Sequence, residues 1–563
     1  MNGLTLIGIA IVVFAAAYLG YGRWLVKTWG IDPQAKTPAV EFEDGQDYSP
    51  ASRFTVFSHQ FSSITGAGPV TGPIIAAMFG WAPALLWLLF GGVFFGAVQD
   101  FTALYASVKN KGKSMGMLIE QYVGKTGRRL FLLFCWLFTL LVIAAFSDII
   151  ANTFNGMTKT GELNVPGAQA ATISLLYIVV AMGFGQYIRK FQPSGAVKFF
   201  VALVLVALMF VVGMNFPLYL DVASWRYVVF GYCFIASVLP MWLLMEPRDY
   251  LSSFLLLGMV AGGVIGVIVA NPQINMPAFV GFEVNGKPLF PILFITIACG
   301  AVSGFHSLVS SGTSSKAIAN EKDMLTVGYG AMLVESLLGV VALVIACAAA
   351  ADGVLPKGTP FQIFAGSISN FFNMFGLPAG LSSCFITMCV SALGMTTIDS
   401  VARIGRMSFQ ELFAPSEGQE ASGVAGLCMN TYFSTIVTLV LAYFLCLAGY
   451  MNIWPLFGAA NQLLSALVLI SLAVFLRTTG RKGWMLYVPM TMMFLVTMSA
   501  LVMSVWGIVN KPADQFVFMV DGLQLILALA LMTLALLVVK HCGKELISGE
   551  ADDCESHGCE KTA

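Results

Sequence analysis

Apolar runs of roughly 20 residues recur from one end of the chain to the other, with short polar stretches between them. A helix of about that length crosses a hydrocarbon core about 30 Å thick. The pattern therefore predicts an all-α, polytopic membrane protein with about fifteen spans. The predicted spans cover residues 3–22, 54–80, 84–107, 130–151, 170–188, 197–215, 227–247, 251–271, 289–311, 327–349, 380–398, 426–449, 454–476, 484–508 and 516–540. The stretch FQIFAGSISNFFNMFG (361–376) is too short and too polar to span, so we expect it to lie at the interface or to re-enter.

The basic residues of the connecting loops predict the orientation. They gather on one side of the membrane: Lys109, Lys111, Lys113, Lys125, Arg128, Arg129, Arg189, Lys190, Lys198, Arg477, Arg481 and Lys482. The opposite loops carry almost no excess positive charge. We therefore expect the N-terminus outside and the C-terminus in the cytoplasm. The first 22 residues lack a basic start and a cleavage site, so they are interpreted as a retained span and not as a signal peptide.

Composition narrows the class of protein. The 563 residues are 58% hydrophobic and only 10% charged, which is too little charge for a soluble chain of this length. The net charge of zero leaves no basic face for nucleic acid. Most of the 11 cysteines lie inside apolar runs, where they are small packing residues rather than a disulfide framework. The expected partners are therefore membrane lipid and a small molecule.

The stretch GAGPVTGP (66–73) stands inside the second apolar run. It looks like a phosphate-binding loop, but no strand precedes it, and Pro69 removes a backbone donor that phosphate would need. A broken membrane helix explains it better, because Gly66, Gly68 and Pro73 also weaken a helix. The outer half would begin near Pro69 and point its partly positive N-terminus at the middle of the membrane, where it suits a carboxylate. A kink used only for close packing is the alternative.

A second break five spans later predicts an internal repeat. Span 227–247 is interrupted at Ser237–Pro240 and runs opposite to span 54–80. Two five-span halves of opposite orientation are the pattern of a LeuT-like 5+5 inverted repeat. The predicted organisation is a first helix with its linker (1–53), a core of two halves (54–215 and 227–398), flanking C-terminal helices (399–540) and a flexible cytoplasmic tail (541–563).

Ionisable residues inside spans indicate function, because they are costly in hydrocarbon. His306 is the main candidate for proton coupling, since an imidazole changes charge near neutral pH. Asp100 and Glu335 stand behind it, and His59 is a further candidate. Hydroxyls near His306 suggest Na⁺ as an alternative ion; they belong to Ser303, Ser307, Ser310, Ser311 and Thr313.

Three more acidic residues, Asp148, Glu246 and Asp399, fall in or near spans. Glu246 lies beside Arg248, and Asp399 lies one turn before Arg403, so both are interpreted as ordinary ion pairs at the membrane interface. The tail offers a weak zinc pattern in Cys542, Cys554, His557 and Cys559, but their spacing matches no usual pair of ligand knuckles. No metal and no cofactor are expected.

Seven blocks of sequence resemble the signature blocks of the carbon starvation protein A family. They lie between residues 58 and 467 and read FSHQFSSITGAGPVTGPIIAA, GAVQDFTALYASVKNKGKSMG, LPMWLLMEPRDYLSSF, PLFPILFITIACGAVSGFHSLVSSGT, YGAMLVES, TTIDSVARIGRMSFQEL and WPLFGAANQLLSAL. The resemblance implies a bacterial inner-membrane transporter of the amino acid–polyamine–organocation superfamily, linked to peptide uptake, to proton-driven pyruvate uptake and to nutrient starvation. This chain departs from the family pattern at one position. In the family a histidine often precedes the one that matches His59, whereas this chain has Ser58 at that position.

Together these observations predict a secondary active transporter that imports pyruvate, a short peptide or an amino acid, with H⁺ as the expected coupling ion. The predicted substrate-binding residues are Ser62, Ser63, Thr65, Gly66, Ala67, Gly68, Thr71 and Ser237. The predicted coupling residues are His59, Asp100, His306, Ser307, Ser310, Ser311 and Glu335. A Na⁺-coupled transporter and a nutrient sensor on a transporter fold are the alternatives. A membrane enzyme would need a cluster of His and Asp metal ligands, and the chain has only four histidines, which is weak support for that alternative.

Overall fold

The computed structural model describes residues 2–44, 48–157, 163–240, 242–356, 360–374, 376, 378–414, 423–512 and 514–548. The described chain is helical apart from one two-stranded hairpin, β1 (Glu283–Val284) and β2 (Lys287–Pro288), which pair antiparallel. Polar side chains cap several helix starts where the chain enters an apolar run. Asn2 accepts from the Thr5 N–H, and Asp221 accepts from the Ser224 N–H.

We number the helices in chain order. The first eleven are α1 (Gly3–Trp29), α2 (Pro38–Glu41), α3 (Arg53–Ile64), α4 (Gly68–Phe79), α5 (Trp81–Lys109), α6 (Met115–Val123), α7 (Lys125–Phe154), α8 (Val165–Phe191), α9 (Gly195–Asn215), α10 (Val222–Val238) and α11 (Met245–Ala270). The next ten are α12 (Leu289–Thr296), α13 (Gly304–Gly312), α14 (Glu321–Ala349), α15 (Pro360–Met374), α16 (Ala379–Leu412), α17 (Gly423–Met429), α18 (Thr431–Cys446), α19 (Tyr450–Thr478), α20 (Trp484–Val509) and α21 (Leu523–Ser548).

Eleven helices of the described chain are long and apolar enough to cross a membrane, and α17 with α18 makes a twelfth if this pair, bent by 74°, is one span. This confirms a multi-pass membrane protein. Three predicted spans, 54–80, 227–247 and 289–311, fall outside that count because each consists of shorter helical pieces. The total of about fifteen stays a prediction.

Two of the predicted spans are broken in mid-course. Span 54–80 consists of α3 and α4, separated at residues 65–67 as the glycines and prolines predict. Span 289–311 is broken as well, between the end of α12 at Thr296 and the start of α13 at Gly304. We call residues 65–67 the first break and residues 297–303 the second break.

The prediction for span 227–247 is wrong. Helix α10 ends at Val238, and α11 begins at Met245 and continues to Ala270. Pro240 therefore lies in a turn between two separate helices instead of interrupting one span, because a residue without an N–H ends a helix as readily as it kinks one. The predicted halves 54–215 and 227–398 consequently lose their second broken helix.

The two breaks lie against each other, and glycine permits the approach. A Cβ on Gly68 would lie 2.6 Å from the Cβ of Cys299, and one on Gly300 would lie 3.6 Å from Pro69 Cα. Small residues let helix backbones come this close inside a membrane. The breaks thus form one joint in the centre of the protein.

Long helices surround this joint. Helices α7 and α16 pack along each other and against α10 and α18. On the other side, α4 packs against α14 and α13 packs against α5. The inner half-helix α3 packs against α11, and α13 also packs against α19. The hairpin α8–α9 packs on α16 and α11, and much of α9 is exposed on the outer surface.

The tail prediction is wrong in its first part. Residues 541–548 continue α21 as a helix, and Cys542 is buried with its Sγ 3.8 Å from Ser471 Oγ. Cys542, a member of the weak zinc pattern, is therefore a packing residue in this helix contact. Cys554, His557 and Cys559 lie outside the described residues. Residues 361–374 of the FQIFAGSISNFFNMFG stretch lie in α15, which packs against α16 and is shorter than a span.

The joint makes a stability prediction. Gly68→Ala places a methyl group against Cys299 that the present packing does not accommodate, and overpacking of this kind costs about 1–3 kcal/mol. We expect the free energy of unfolding of the purified protein, measured by denaturant titration in detergent, to fall by about that amount. Gly183→Ala on α8, where a Cβ meets nothing within 4 Å, is the matched control and should be neutral or slightly stabilising. Equal values for the two variants would contradict the close approach.

Candidate functional site

The first break presents a helix N-terminus and buried hydroxyls in mid-membrane. Its backbone turns through the Thr65 N–H donating to Phe61 O and the Gly66 N–H donating to Ile64 O, each at 2.9 Å. Helix α4 then starts at Gly68, so its first N–H groups point back into the break. The partial positive charge of a helix N-terminus favours an anion there.

The predicted substrate residues separate into two groups. Ser63, Thr65, Gly66, Ala67 and Gly68 lie at the first break, and the Ser63 and Thr65 hydroxyls are buried without a hydrogen-bond partner among the described residues. A buried, unpartnered hydroxyl is available to a ligand.

The hydroxyls of two predicted substrate residues, Ser62 and Ser237, are engaged elsewhere. The Ser62 hydroxyl donates to Ser58 O at 2.6 Å, inside its own helix. Thr71 lies near the start of α4, close to the first break, where its N–H donates to Ala67 O, and its predicted role stays a prediction. Ser237 lies one residue before the end of α10 and contacts Thr435 Oγ1 at 3.2 Å, joining α10 to α18. It therefore lies at the end of a helix and not at a break inside one, because α11 begins separately at Met245.

Two residues that the sequence did not single out also face the first break. A Cβ on Gly66 would lie 2.8 Å from Thr397 Oγ1 and 3.1 Å from Phe146 Cε1. Helices α16 and α7 thus form walls of the break with one hydroxyl and one aromatic ring. Thr397 belongs to the polar run TTIDS, and polar residues inside a predicted span are a signal of function. The spacing of these residues does not predict which other helix Thr397 contacts.

The second break is held by side chains from other helices. Trp87 Nε1 donates to Ile297 O at 3.3 Å, and Gln99 Nε2 donates to Ser303 O at 2.5 Å. Gln462 Nε2 donates to Phe294 O at 2.6 Å, and Asn461 contacts Ser303 and Cys299. Unwound backbone at membrane depth persists only where it is satisfied or lines a cavity. Hydrogen bonds from other helices therefore hold the second break in place, whereas the first break keeps hydroxyls without partners among the described residues.

Three predicted coupling residues come together beside the second break. His306, on the first turn of α13, lies with Nδ1 3.0 Å from Asp100 Oδ2 and Nε2 3.4 Å from Glu335 Oε2. Asp100 comes from α5 and Glu335 from α14, and all three side chains are fully buried. We call this arrangement the Asp–His–Glu bridge.

The two contacts of the Asp–His–Glu bridge each need a proton to be attractive. A ring nitrogen without a proton and an ionised carboxylate are both acceptors, so between His306 Nδ1 and Asp100 the proton lies on one partner or the other. The same holds for Nε2 and Glu335, whose atoms lie 3.4 Å apart and have no hydrogen-bond partner among the described residues. The arrangement therefore favours two protons shared among the three side chains.

A metal ion does not fit the Asp–His–Glu bridge, because the two carboxylates face opposite ring nitrogens and share no common point with the imidazole. Within the described ranges, no group of three His, Cys, Asp or Glu side chains is placed to hold a metal.

The predicted hydroxyl neighbours of His306 are used locally. The Ser307 hydroxyl donates to Gly304 O and the Ser311 hydroxyl to Ser307 O, at 2.6 and 2.7 Å. Ser310 Oγ accepts from Gln60 Nε2 at 2.9 Å, which ties α13 to α3. Two of these contacts thus lie within α13, and the third joins α13 to α3.

His59 forms a second site on α3. Its Nδ1 lies 2.8 Å from Asp249 Oδ2, and its Nε2 lies 3.0 Å from Thr313 Oγ1. Thr313 gives its own proton to Val309 O at 2.9 Å, so it can only accept from the imidazole. Both ring nitrogens then carry protons, as assigned from the hydrogen-bond network. His59 thus links α3 to α11 and to the end of α13.

The remaining acidic residues correct the predicted pairing. Asp399 pairs with Arg248, not with Arg403, and it also accepts from the Tyr232 hydroxyl at 2.5 Å. The guanidinium of Arg403 donates to Leu239 O instead. Helical spacing favoured the neighbour one turn away, whereas the fold brings α11 against α16. Arg248 and Asp399 are 2% and 1% exposed, so this pair is a buried one and not an interface pair.

Asp148 and Glu246 have separate surroundings. Asp148 Oδ1 accepts from Arg226 Nη2 at 2.6 Å, and its other oxygen accepts from the Tyr450 N–H at 2.8 Å. Glu246 lies in the first turn of α11, and Arg248 two residues on is engaged with Asp399.

A cavity of about 60 Å³ lies below the joint. Its walls include Leu308 and Thr313 of α13 and its end, Arg403 and Glu411 of α16, and Ser114 before α6. Thr313 is also the partner of His59. The cavity therefore borders a partner of the second histidine site.

These features define a multi-pass membrane transporter and not an enzyme. The chain belongs to the carbon starvation protein CstA family, whose sequence model matches residues 2–355 and 348–500. It is 32% identical to the peptide transporter CstA of Escherichia coli K12, over 89% of this chain and 81% of that protein. It is 30% identical to the pyruvate/proton symporter BtsT of the same strain, over 92% and 84%. The peptide transporter CstA of Bacillus subtilis 168 is 30% identical, over 94% and 95%.

Solved structures support the fold. A manganese transporter from Eremococcus coleocola, in complex with an aromatic bis-isothiourea compound, aligns with a TM-score of 0.52 at 12% identity, over 89% of this chain and 99% of that one. MhsT in complex with L-phenylalanine aligns with a TM-score of 0.50 at 13% identity, over 86% and 99%. The fold is therefore that of the LeuT-like transporters.

The buried ion pair makes a second stability prediction. Arg248→Met leaves Asp399 buried without its cation, and breaking such a pair costs about 3–5 kcal/mol. We expect a loss of that order in the free energy of unfolding, and recovery of most of it when Asp399→Leu is added. Arg189→Met, at an exposed arginine that stacks on Trp242, is the control and should change stability by about 1 kcal/mol or less. A double variant as unstable as Arg248→Met would contradict this interpretation.

Proposed function

We propose that the chain imports a small carboxylate-bearing nutrient, pyruvate or a short peptide, by proton symport across a bacterial inner membrane during starvation. The observation that carries the proposal is the Asp–His–Glu bridge, because it brings an imidazole and two buried carboxylates together on the half-helix that borders the second break, where an exchangeable proton could bind. Relatives named as peptide transporters and as a pyruvate/proton symporter support the substrate class and the ion.

The substrate carboxylate would bind at the first break. The N-terminus of α4 supplies backbone N–H groups, and the Ser63 and Thr65 hydroxyls supply two further donors. Thr397 and the ring of Phe146 would surround the rest of the molecule. All of these groups also suit other carboxylates, so the size of the substrate must distinguish pyruvate from a short peptide. Glycines packed this closely around the break favour a small substrate such as pyruvate.

The proton would bind at the Asp–His–Glu bridge. With its proton the bridge joins α5, α13 and α14 across the joint; without it, His306 and Glu335 repel each other. Alternating access then follows if substrate and proton together stabilise the joined state, and if proton loss to the cytoplasm opens it. His59 would act lower down, where its links to Asp249 and Thr313 hold α3 and α13 against α11.

We infer a repeat different from the one predicted from sequence. In this proposal α3–α4 corresponds to α12–α13, α5 to α14, α7 to α16, α10 to α17–α18, and α11 to α19. Equivalent packings support it: α11 lies on α3 as α19 lies on α13, and α7 contacts α18 as α16 contacts α10. The hairpin α8–α9 is then an insertion in the first half. Counting each broken helix and α10 as a span gives the fifteen crossings predicted, with the N-terminus outside and the C-terminus in the cytoplasm.

Uptake of labelled pyruvate tests the proposal. Cells that lack their own pyruvate carriers and express this chain should accumulate pyruvate, and a protonophore should abolish the accumulation. His306→Ala removes the centre of the bridge and should lower gradient-driven accumulation by roughly tenfold or more. His541→Ala is the matched control, since His541 is half-buried on α21, away from the bridge, and its hydrogen bond among the described residues is to Leu537 O of its own helix.

Each outcome has a definite meaning when the protein is shown to reach the membrane. Accumulation that survives His306→Ala contradicts the coupling role of the bridge. Accumulation that needs Na⁺ and ignores the protonophore replaces the proton by sodium. If pyruvate does not accumulate, labelled dialanine is the second substrate, and its accumulation would assign the chain to peptides. Saturable binding of either compound without flux would make the chain a sensor.

A further inference from the structure

We propose that Asn461 is the positioning residue that couples the second break to the Asp–His–Glu bridge. The inference rests on the proposed function, because it explains how an event at the joint reaches the proton. Asn461 lies on α19, which contributes no member of the bridge and no predicted substrate residue. Its role is therefore separate from binding either the substrate or the proton.

The Asn461 side chain caps α13. Its Oδ1 accepts from the Phe305 N–H at 3.2 Å, on the first turn of the half-helix and directly before His306. The first N–H groups of a helix have no partner within the helix, so a side-chain acceptor fixes where the helix begins. Asn461 is fully buried, and water does not compete for this contact. The position of the His306 backbone is thus set by an amide from another helix.

The same amide also holds the second break. Its Nδ2 donates to Ser303 Oγ at 3.0 Å and contacts Cys299 Sγ at 3.4 Å. Cys299 is the residue that the backbone of Gly68 meets at the joint. The Asn461 amide therefore contacts both the second break, which faces α4, and the first turn of α13, which carries His306. A movement of Cys299 or Ser303 is transmitted to α13 because the amide is rigid.

Gln99 strengthens the same connection from α5. Its Nε2 donates to Ser303 O at 2.5 Å, its Oε1 accepts from Ser465 on α19, and it directly precedes Asp100. Ser303 is thus held on its hydroxyl by Asn461 and on its carbonyl by Gln99. When the second break shifts, both partners of the contact between Asp100 and His306 shift with it. Satisfied buried networks of this kind rigidify what they join.

The inference predicts uncoupling rather than loss of transport. In Asn461→Ala the substrate groups at the first break and all members of the bridge are present, but α13 loses its cap. We expect exchange of labelled for unlabelled pyruvate at equal pH to stay within about threefold of wild type, because exchange needs no net proton movement. Accumulation driven by a pH gradient should fall by roughly tenfold or more, and the pH dependence of exchange should flatten.

The experiment uses the full chain in proteoliposomes, with both fluxes and the melting temperature measured on each variant. Asn461→Asp keeps the size and the acceptor oxygen but replaces the donating NH₂, so it tests the link to Ser303 and Cys299 if Asn461→Ala does not fold. Asn452→Ala, at an exposed asparagine of α19 that bonds Ala448 O, is the matched control. We expect the control to resemble wild type in both fluxes.

A selective loss of accumulation in either Asn461 variant supports the inference. Equal loss of exchange and accumulation, or unchanged fluxes in both variants, overturns it and leaves the proposed function intact. A wild-type chain that accumulates neither pyruvate nor dialanine under a proton gradient overturns the proposed function, and the inference falls with it. The wild-type measurement thus distinguishes the two failures.

Discussion

Unwound backbone inside a membrane is the constraint on which this structure depends. Each unsatisfied N–H or C=O group in hydrocarbon costs several kcal/mol, so two helices can break in mid-course only where other parts of the protein surround them. The two breaks meet this demand differently. Side chains of Trp87, Gln99 and Gln462 satisfy carbonyls at the second break, whereas the first break retains the free hydroxyls of Ser63 and Thr65. The second break is therefore satisfied by neighbouring side chains, whereas the hydroxyls of the first break are available to a ligand.

The place of the proposed proton site follows from this arrangement. Because α13 begins directly after the second break, its first turn lies beside the joint, and His306 on that turn contacts residues of α5 and α14. Two buried carboxylates around one imidazole require an additional proton to coexist. The proposed substrate site at the first break and the proposed proton site on α13 lie on two different stretches of chain, and these stretches meet where Gly68 approaches Cys299.

The sequence predicted the parts that carry local signals. Glycines and prolines in GAGPVTGP indicated the first break, and the depth of Asp100, His306 and Glu335 indicated a common site. The sequence analysis did not predict the second break, because ACGAVSG contains no proline and its apolar residues continue the hydrophobic run. The signal that could have indicated it was Gly300 and Gly304 on either side of Ser303. Pro240 misled for the opposite reason, since a proline marks a turn and a kink alike. The pairing of Arg248 with Asp399 depends on how α11 meets α16, which helical spacing does not contain.

The most direct test of the account is the number of protons that enter with each substrate molecule. Proteoliposomes with an entrapped pH indicator allow pyruvate entry and acidification to be measured together. If the Asp–His–Glu bridge carries one exchangeable proton, as we propose, we expect about one proton per pyruvate, and uptake driven by a pH gradient but not by membrane potential alone. Pyruvate entry without acidification, or entry that follows membrane potential at equal pH, would contradict it.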